Sequence, residues 1–160
     1  MNSCVPPLVT SRLLLRQLSI EDMDELLPIS FYDGKPIKTA EGIQEKLKRI
    51  EADIYASNSI HWGIAMQSAG NIIGTAGFYR GFKDKTGEIG YVLNKNFRGQ
   101  GYMQEAIKAV MHFGFSQLGL NSIIAYTESD NVASIRVLQQ TGFTETSTDM
   151  VPYRKWVFIQ

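Results

Sequence analysis

The sequence predicts an α/β layer fold built on a mixed sheet. Two observations carry that prediction. The hydrophobic period switches between helical and strand spacing along the chain, and one strand runs through a glycine turn straight into a long amphipathic helix. A chain of 160 residues suits a single domain, residues 1–160, whose core needs no disulfide or metal staple.

The elements follow in order. Arg12-Leu13-Leu14-Leu15-Arg16-Gln17-Leu18 reads as a strand, and Ser19 as the cap of a short helix running towards Pro28. Asp33-Gly34-Lys35-Pro36 reads as a loop, and Ile43, Leu47, Ile50 and Ile54 step at helical spacing from Thr39 to Tyr55. Trp62–Met66, Ile72–Tyr79 and Glu88–Leu93 read as strands, the first two joined by a turn at Ala69-Gly70-Asn71. Met103, Ile107, Val110, Met111 and Gly114 share one helix face, and Gly119 then Leu120 suit its end. Ser122–Thr127 is a strand and Asn131–Gln140 a helix stopped by Gly142 and Phe143; Thr144–Thr148 and Tyr153–Ile159 close the chain as strands. The tally is about seven strands and about four helices, with one parallel crossover over the Met103–Gly114 helix.

Composition excludes several classes. Lys and Arg total 16 and so do Asp and Glu, so the formal net charge is zero and a general nucleic-acid binder is not expected. The lone Cys4 excludes an internal disulfide framework and a cysteine-built zinc site, and no metal site is expected. Met1 to Pro7 lack the basic start and apolar run of a signal peptide, and no apolar run approaches a membrane span. The expectation is a cytoplasmic protein with no membrane partner.

The most informative stretch runs from Tyr91-Val92-Leu93 through Asn94-Lys95-Asn96-Phe97 to Arg98-Gly99-Gln100-Gly101-Tyr102-Met103. Glycines let the chain turn tightly and let a ligand reach bare backbone. The first N–H groups of a helix have no intrahelical partner and carry partial positive charge. Together these make a site for a phosphate, best a pyrophosphate, with Arg98 adding a full charge. The same glycines also read as plain packing of strand against helix. Gly101 is followed by Tyr102 rather than Lys, so this is no Walker A loop, and Gln104 stands where a dinucleotide fingerprint needs a third glycine or alanine. Asn131 and Gly142 read equally well as the two caps of one helix.

Taken together these blocks resemble the GNAT superfamily of acyl-CoA-dependent N-acyltransferases. The likeness is nearest to its ribosomal-protein N-terminal acetyltransferase branch, the RimJ/RimL type. It rests on Gly87-Glu88-Ile89-Gly90-Tyr91-Val92-Leu93, on Phe97 to Met103 with Glu105-Ala106, and on Asn131, Ser134, Leu138 and Gly142-Phe143. Thr10-Ser11-Arg12-Leu13-Leu14-Leu15-Arg16 matches the branch's first strand. The resemblance implies a mostly antiparallel sheet flanked by helices, acetyl-CoA as co-substrate, and a monomer or homodimer.

The resemblance also implies roles. Backbone N–H groups of Arg98, Gly99, Gln100, Gly101, Tyr102 and Met103 would hold the CoA pyrophosphate. Val92 and Leu93 would pair with the pantetheine arm, and Asn131 would hydrogen-bond it further along. A neutral amine would attack the thioester directly, in keeping with the lack of a usable Cys or a Ser-His-Asp set. Glu88 matches the position of a general base, and also reads as an ordinary strand glutamate. Many members carry a Tyr at the position of Leu138; here Ser134 matches the serine of the RimL branch, with Tyr91, Tyr102, Tyr126 and Tyr153 as alternatives. The acceptor stays open between a protein N-terminal amine and a small amine such as an amino acid, polyamine or antibiotic. A non-catalytic acyl-CoA sensor would keep the glycine loop without needing Glu88 or Ser134.

Overall fold

The computed structural model describes residues 5–32 and 34–160. Cys4 and Asp33 lie outside the described residues. The chain opens with two short strands, β1 (Leu8–Val9) and β2 (Leu13–Arg16), paired antiparallel. A capped turn follows, in which the Ser19 hydroxyl accepts from the Glu21 N–H and Asp22 reaches back to the Ser19 N–H. This leads into α1 (Met23–Leu26), flanked on both sides by 3-10 turns. The expected strand to Leu18 thus ends at Arg16, because the capping box claims the backbone from Ser19 onward.

Phe31–Tyr32 (β3) and Lys35–Pro36 (β4) form a two-residue hairpin where a loop was expected. Exposed strands this short carry no hydrophobic period to read. The helix α2 (Ala40–Tyr55) begins as expected at Thr39, whose hydroxyl accepts from the Gly42 N–H at 3.1 Å.

The strands β5 (Ile60–Met66), β6 (Ile72–Tyr79) and β7 (Thr86–Leu93) form an antiparallel meander. After it come α3 (Tyr102–Ser116), β8 (Ser122–Glu128), α4 (Val132–Gln140), β9 (Thr144–Thr146) and β10 (Tyr153–Ile159). Among the described residues the main sheet has 8 strands in the order β1-β2-β5-β6-β7-β8-β10-β9. It holds one strand more than expected, since β1 is a two-residue edge. Every neighbouring pair is antiparallel except β7 and β8, the expected parallel crossover over α3.

One layer packs α3 on the sheet through Met103, Ala106, Ile107, Val110 and Phe113, against Trp62, Ile64, Phe78 and Ile123. Gly114 makes the close approach: a Cβ there would stand 2.7 Å from the Phe78 ring. The other layer packs Leu26, Ile29 and Ile43 on Ala65 and Ile72, with Val92 beside them. Helix α4 ends in the expected glycine cap: Gly142 has φ 92° and the Phe143 N–H donates to the Leu138 carbonyl at 3.0 Å. Among the described residues no helix is long and apolar enough to cross a membrane.

Candidate active site

The parallel ladder between β7 and β8 is short. It pairs Thr86 with Ser122, Gly87 with Ile123 and Glu88 with Ile124, and stops there. Strand β7 continues to Leu93 and β8 to Glu128, no longer paired with each other. Past Glu88 the β8-facing edge of β7 therefore carries backbone groups without a ladder partner. Beside this split lies a cleft of about 620 Å³. It is lined by Val92, Leu93, Arg98, Gly99, Gly101, Tyr102, Met103, Asn131 and Ser134, all expected from the sequence, by Tyr91, expected only as an alternative to Ser134, and also by Gln140. Gln100 and Glu88 are outside that lining.

The floor of the cleft is the turn between β7 and α3. Asn94 accepts from the Asn96 N–H at 3.0 Å and starts a tight turn over Lys95–Phe97. Gly99 and Gly101 then take left-handed backbone, with φ 75° and 81°. A Cβ at Gly99 would meet nothing within 4 Å, so the conformation and not crowding demands glycine. Gly101 is the N-cap of α3 and supplies no side-chain cap, which leaves the first helix amides free towards the cleft. The Arg98 guanidinium bends back onto the Leu93 carbonyl, at 3.2 and 3.3 Å.

The Gln100 carbonyl belongs to a clasp that has no signature in the sequence. It accepts from Arg12 Nη1 at 3.0 Å, and Arg12 Nε donates to Glu105 Oε2 at 2.7 Å. Glu105 Oε1 accepts from the Arg12 N–H at 2.9 Å and the Thr10 hydroxyl at 2.6 Å. The Arg12 guanidinium also lies 4.3 Å over the Tyr102 ring. Partial burial would raise the Glu105 pKa; the bonds from Thr10 and Arg12 outweigh it and hold the carboxyl below its ordinary range. The Thr10-Ser11-Arg12 run gives no sign of it, because its partner stands 93 residues away.

The wall of the cleft is α4. The Asn131 side chain accepts from the Ser134 N–H at 3.1 Å, which is the cap role, and its amide NH₂ remains available. Ser134 Oγ donates to Tyr91 Oη at 2.9 Å, and Tyr91 Oη donates to the Ser134 carbonyl at 3.2 Å. Burial pushes the Tyr91 hydroxyl up to about 12, against the pull of the Ser134 bond. Leu138, buried beneath, offers no hydroxyl.

Glu88 occupies the other face of the sheet. Side chains alternate along a strand. Ile89, Tyr91 and Leu93 pack with the α3 core, whereas Val92, of the same parity as Glu88, packs with Leu26 and Ile43. Glu88 is thus the last rung of the parallel ladder, on the α2 side of the split. Burial raises its pKa, and an ion pair with the exposed Arg80 partly offsets that rise. Asp22, from the acidic cluster Glu21, Asp22, Asp24 and Glu25, is committed elsewhere: it binds the Arg16 fork at 2.9 and 2.7 Å.

The split parallel pair, the uncapped helix start and the left-handed glycines bring an open strand edge and bare backbone amides to one cleft. Residues 12–144 match the model of the acetyltransferase (GNAT) domain, and the chain belongs to that family. It is an acyl-CoA-dependent N-acetyltransferase. It is 34% identical over 148 residues to the uncharacterised N-acetyltransferase YoaA of Bacillus subtilis, covering 86% of this chain and 82% of that one. Its fold resembles the RimL ribosomal L7/L12 α-N-protein acetyltransferase solved with coenzyme A, at TM-score 0.80 and 18% identity, covering 98% of this chain and 97% of that one. It also resembles the dodecameric spermidine N-acetyltransferase of Vibrio cholerae, at TM-score 0.72 and 17% identity, covering 94% and 95%.

Proposed function

We propose that this chain acetylates the N-terminal amine of a peptide, with acetyl-CoA held in the β7–α3–α4 cleft. The observation that carries the reading is the split after Glu88 and Ile124. It puts a carboxylate on one face of the sheet and a hydroxyl pair on the other, with an open strand edge between them.

The CoA pyrophosphate meets the amides of Arg98 to Met103 at the start of α3, where the left-handed glycines leave the approach open. The pantetheine arm adds to the free edge of β7 near Val92 and Leu93, and the Asn131 amide donates to it further along. The acetyl thioester then lies at the split. The amine enters from the α2 side, where Glu88 takes its proton through one water. A raised pKa suits that work, since a better base sits closer to working pH.

The acceptor reading draws on the closing loop. Met150, Val151 and Tyr153 are exposed apolar side chains, 51%, 86% and 41% accessible. Tyr153 pairs with Glu128, and the Ser129 hydroxyl donates to the Pro152 carbonyl, so this loop stands at the open end of β8. Such a lip suits the first side chains of a peptide.

The test is an acetyl-CoA turnover screen over N-terminal peptides, amino acids, polyamines and aminoglycosides. Peptides with apolar first residues are expected to turn over fastest. Preferred turnover of a small amine would replace the peptide assignment. CoA binding without turnover of any amine would favour the sensor reading.

A further inference from the structure

The departing sulfur needs a hydrogen-bond donor, and the obvious one is already engaged. Ser134 Oγ gives its proton to Tyr91 Oη at 2.9 Å. Tyr91 gives its own proton to the Ser134 carbonyl, at the longer 3.2 Å. A carbonyl inside a helix already serves the amide four residues on, so this second bond is the easier of the two to release. Both side chains line the cleft.

We propose that Tyr91, and not Ser134, donates the hydrogen bond that stabilises the departing CoA thiolate, with Ser134 holding Tyr91 in place. The inference rests on reading the cleft as the acetyl-CoA site. The other hydroxyls are worse placed. Tyr102 also lines the cleft, but its ring is held between the Arg12 guanidinium and an edge contact with Phe97 at the start of α3. Tyr126 shares its parity with Ile124, which pairs with Glu88, and so belongs to the opposite face of the sheet. Tyr153 stands exposed at the outer end of β10.

The step balances as follows. The amine nitrogen bonds to the thioester carbonyl carbon and its proton passes through water to Glu88. The carbon–sulfur bond breaks with its electron pair on sulfur, and the Tyr91 hydroxyl turns from the Ser134 carbonyl to that sulfur. The Tyr91 proton stays on oxygen. Burial holds the tyrosine hydroxyl well above an ordinary thiol, which ionises at about 8.5, so full transfer is disfavoured. CoA leaves as a hydrogen-bonded thiolate and takes up a proton from solvent, while Glu88 releases the amine's proton to solvent, so the base is restored and no proton is left unaccounted for. Ser134 keeps donating to Tyr91 Oη throughout, which makes the tyrosine the better donor.

The experiment compares wild type, Tyr91→Phe, Ser134→Ala and the double variant. Two quantities are read: kcat and KM for acetyl-CoA, and the pKa of the CoA thiol in the enzyme–CoA complex from thiolate ultraviolet absorbance. Tyr91→Phe is expected to lower kcat by roughly 100-fold, leave KM for acetyl-CoA nearly unchanged, and raise the bound thiol's pKa. Ser134→Ala is expected to do both more weakly, and the double variant to be no worse than Tyr91→Phe. The Ser134→Ala arm stands alone should Tyr91→Phe fail to fold. A larger kcat loss in Ser134→Ala than in Tyr91→Phe overturns the inference, as does a bound-thiol pKa that neither substitution moves. Failure of the wild type to bind CoA would overturn the cleft reading as well.

Discussion

Arg12 Nε lies 2.7 Å from Glu105 Oε2, and the same guanidinium reaches the Gln100 carbonyl at 3.0 Å. The first long strand of the sheet is thereby tied to the turn that opens α3. The clasp sits behind the glycine loop, outside the cleft, so it can set the loop's shape without touching a ligand there. Arg12→Ala is expected to raise KM for acetyl-CoA about tenfold, equivalent to about 1.4 kcal/mol, with kcat nearly unchanged. Arg12 is 44% exposed, so a larger effect is not expected from the ion pair itself. Steady-state kinetics decide it. An unchanged KM would make the clasp purely structural.

Gly99→Glu should abolish CoA binding in a protein that remains folded. The left-handed backbone costs a residue with a Cβ about 1–2 kcal/mol, which at this chain length lowers Tm by a few degrees. The carboxylate would stand in the open space above the loop and repel a pyrophosphate. Calorimetric titration with CoA checks this. Wild-type affinity in the variant would place the phosphate site elsewhere.

Asp22 is a stability prediction. Burial alone would raise its pKa, but the Arg16 fork and the Ser19 N–H outweigh burial and keep it below the ordinary carboxylate range. A depressed carboxylate contributes stability that is complete above the unfolded pKa of about 3.9 and disappears as pH falls through the folded value. Asp22→Asn should cost about 1–3 kcal/mol at neutral pH, because it leaves the partly buried Arg16 guanidinium without its carboxylate. The difference from wild type should shrink in acid. Chemical denaturation at pH 7 and pH 3 measures both; a pH-independent difference would contradict the pairing.

Arg80 offers a test of the base proposed at Glu88 that leaves Glu88 in place. Burial already holds the Glu88 pKa above its ordinary value, and the Arg80 cation holds it down. A general base at Glu88 would act when deprotonated, so the acidic limb of the kcat profile at saturating amine should follow the Glu88 pKa. Arg80→Ala removes the opposing cation, and that limb should move to higher pH. A limb that stays put would separate Glu88 from the titration.

The parts of the site that were legible in the sequence are local. Gly99 and Gly101 announce a sharp turn before an apolar helix face, and Asn131 and Gly142 bracket α4 at capping distance. These signals act within a few residues, where backbone chemistry dominates. The pairings that complete the site were not legible. Tyr91 meets Ser134 across 43 residues and Arg12 meets Glu105 across 93, and neither has a periodic signature. The stopping point of the β7–β8 ladder was also hidden, because divergence depends on what packs on each face. The β1 edge and the β3–β4 hairpin escaped for a simpler reason, being two residues per strand.

The central claim is that acetyl transfer takes place at the split beside Glu88. The most direct measurement is turnover by Glu88→Gln, taken with its CoA affinity. The amide keeps the shape and loses the basicity. Affinity for CoA should stay near wild type, since Glu88 lies outside the lining of the proposed CoA cleft, while kcat falls about 100- to 10,000-fold at neutral pH. Partial recovery is expected at high pH, where the acceptor amine deprotonates unaided. Full activity of Glu88→Gln at neutral pH would contradict the account and leave Glu88 as a strand residue paired with Arg80.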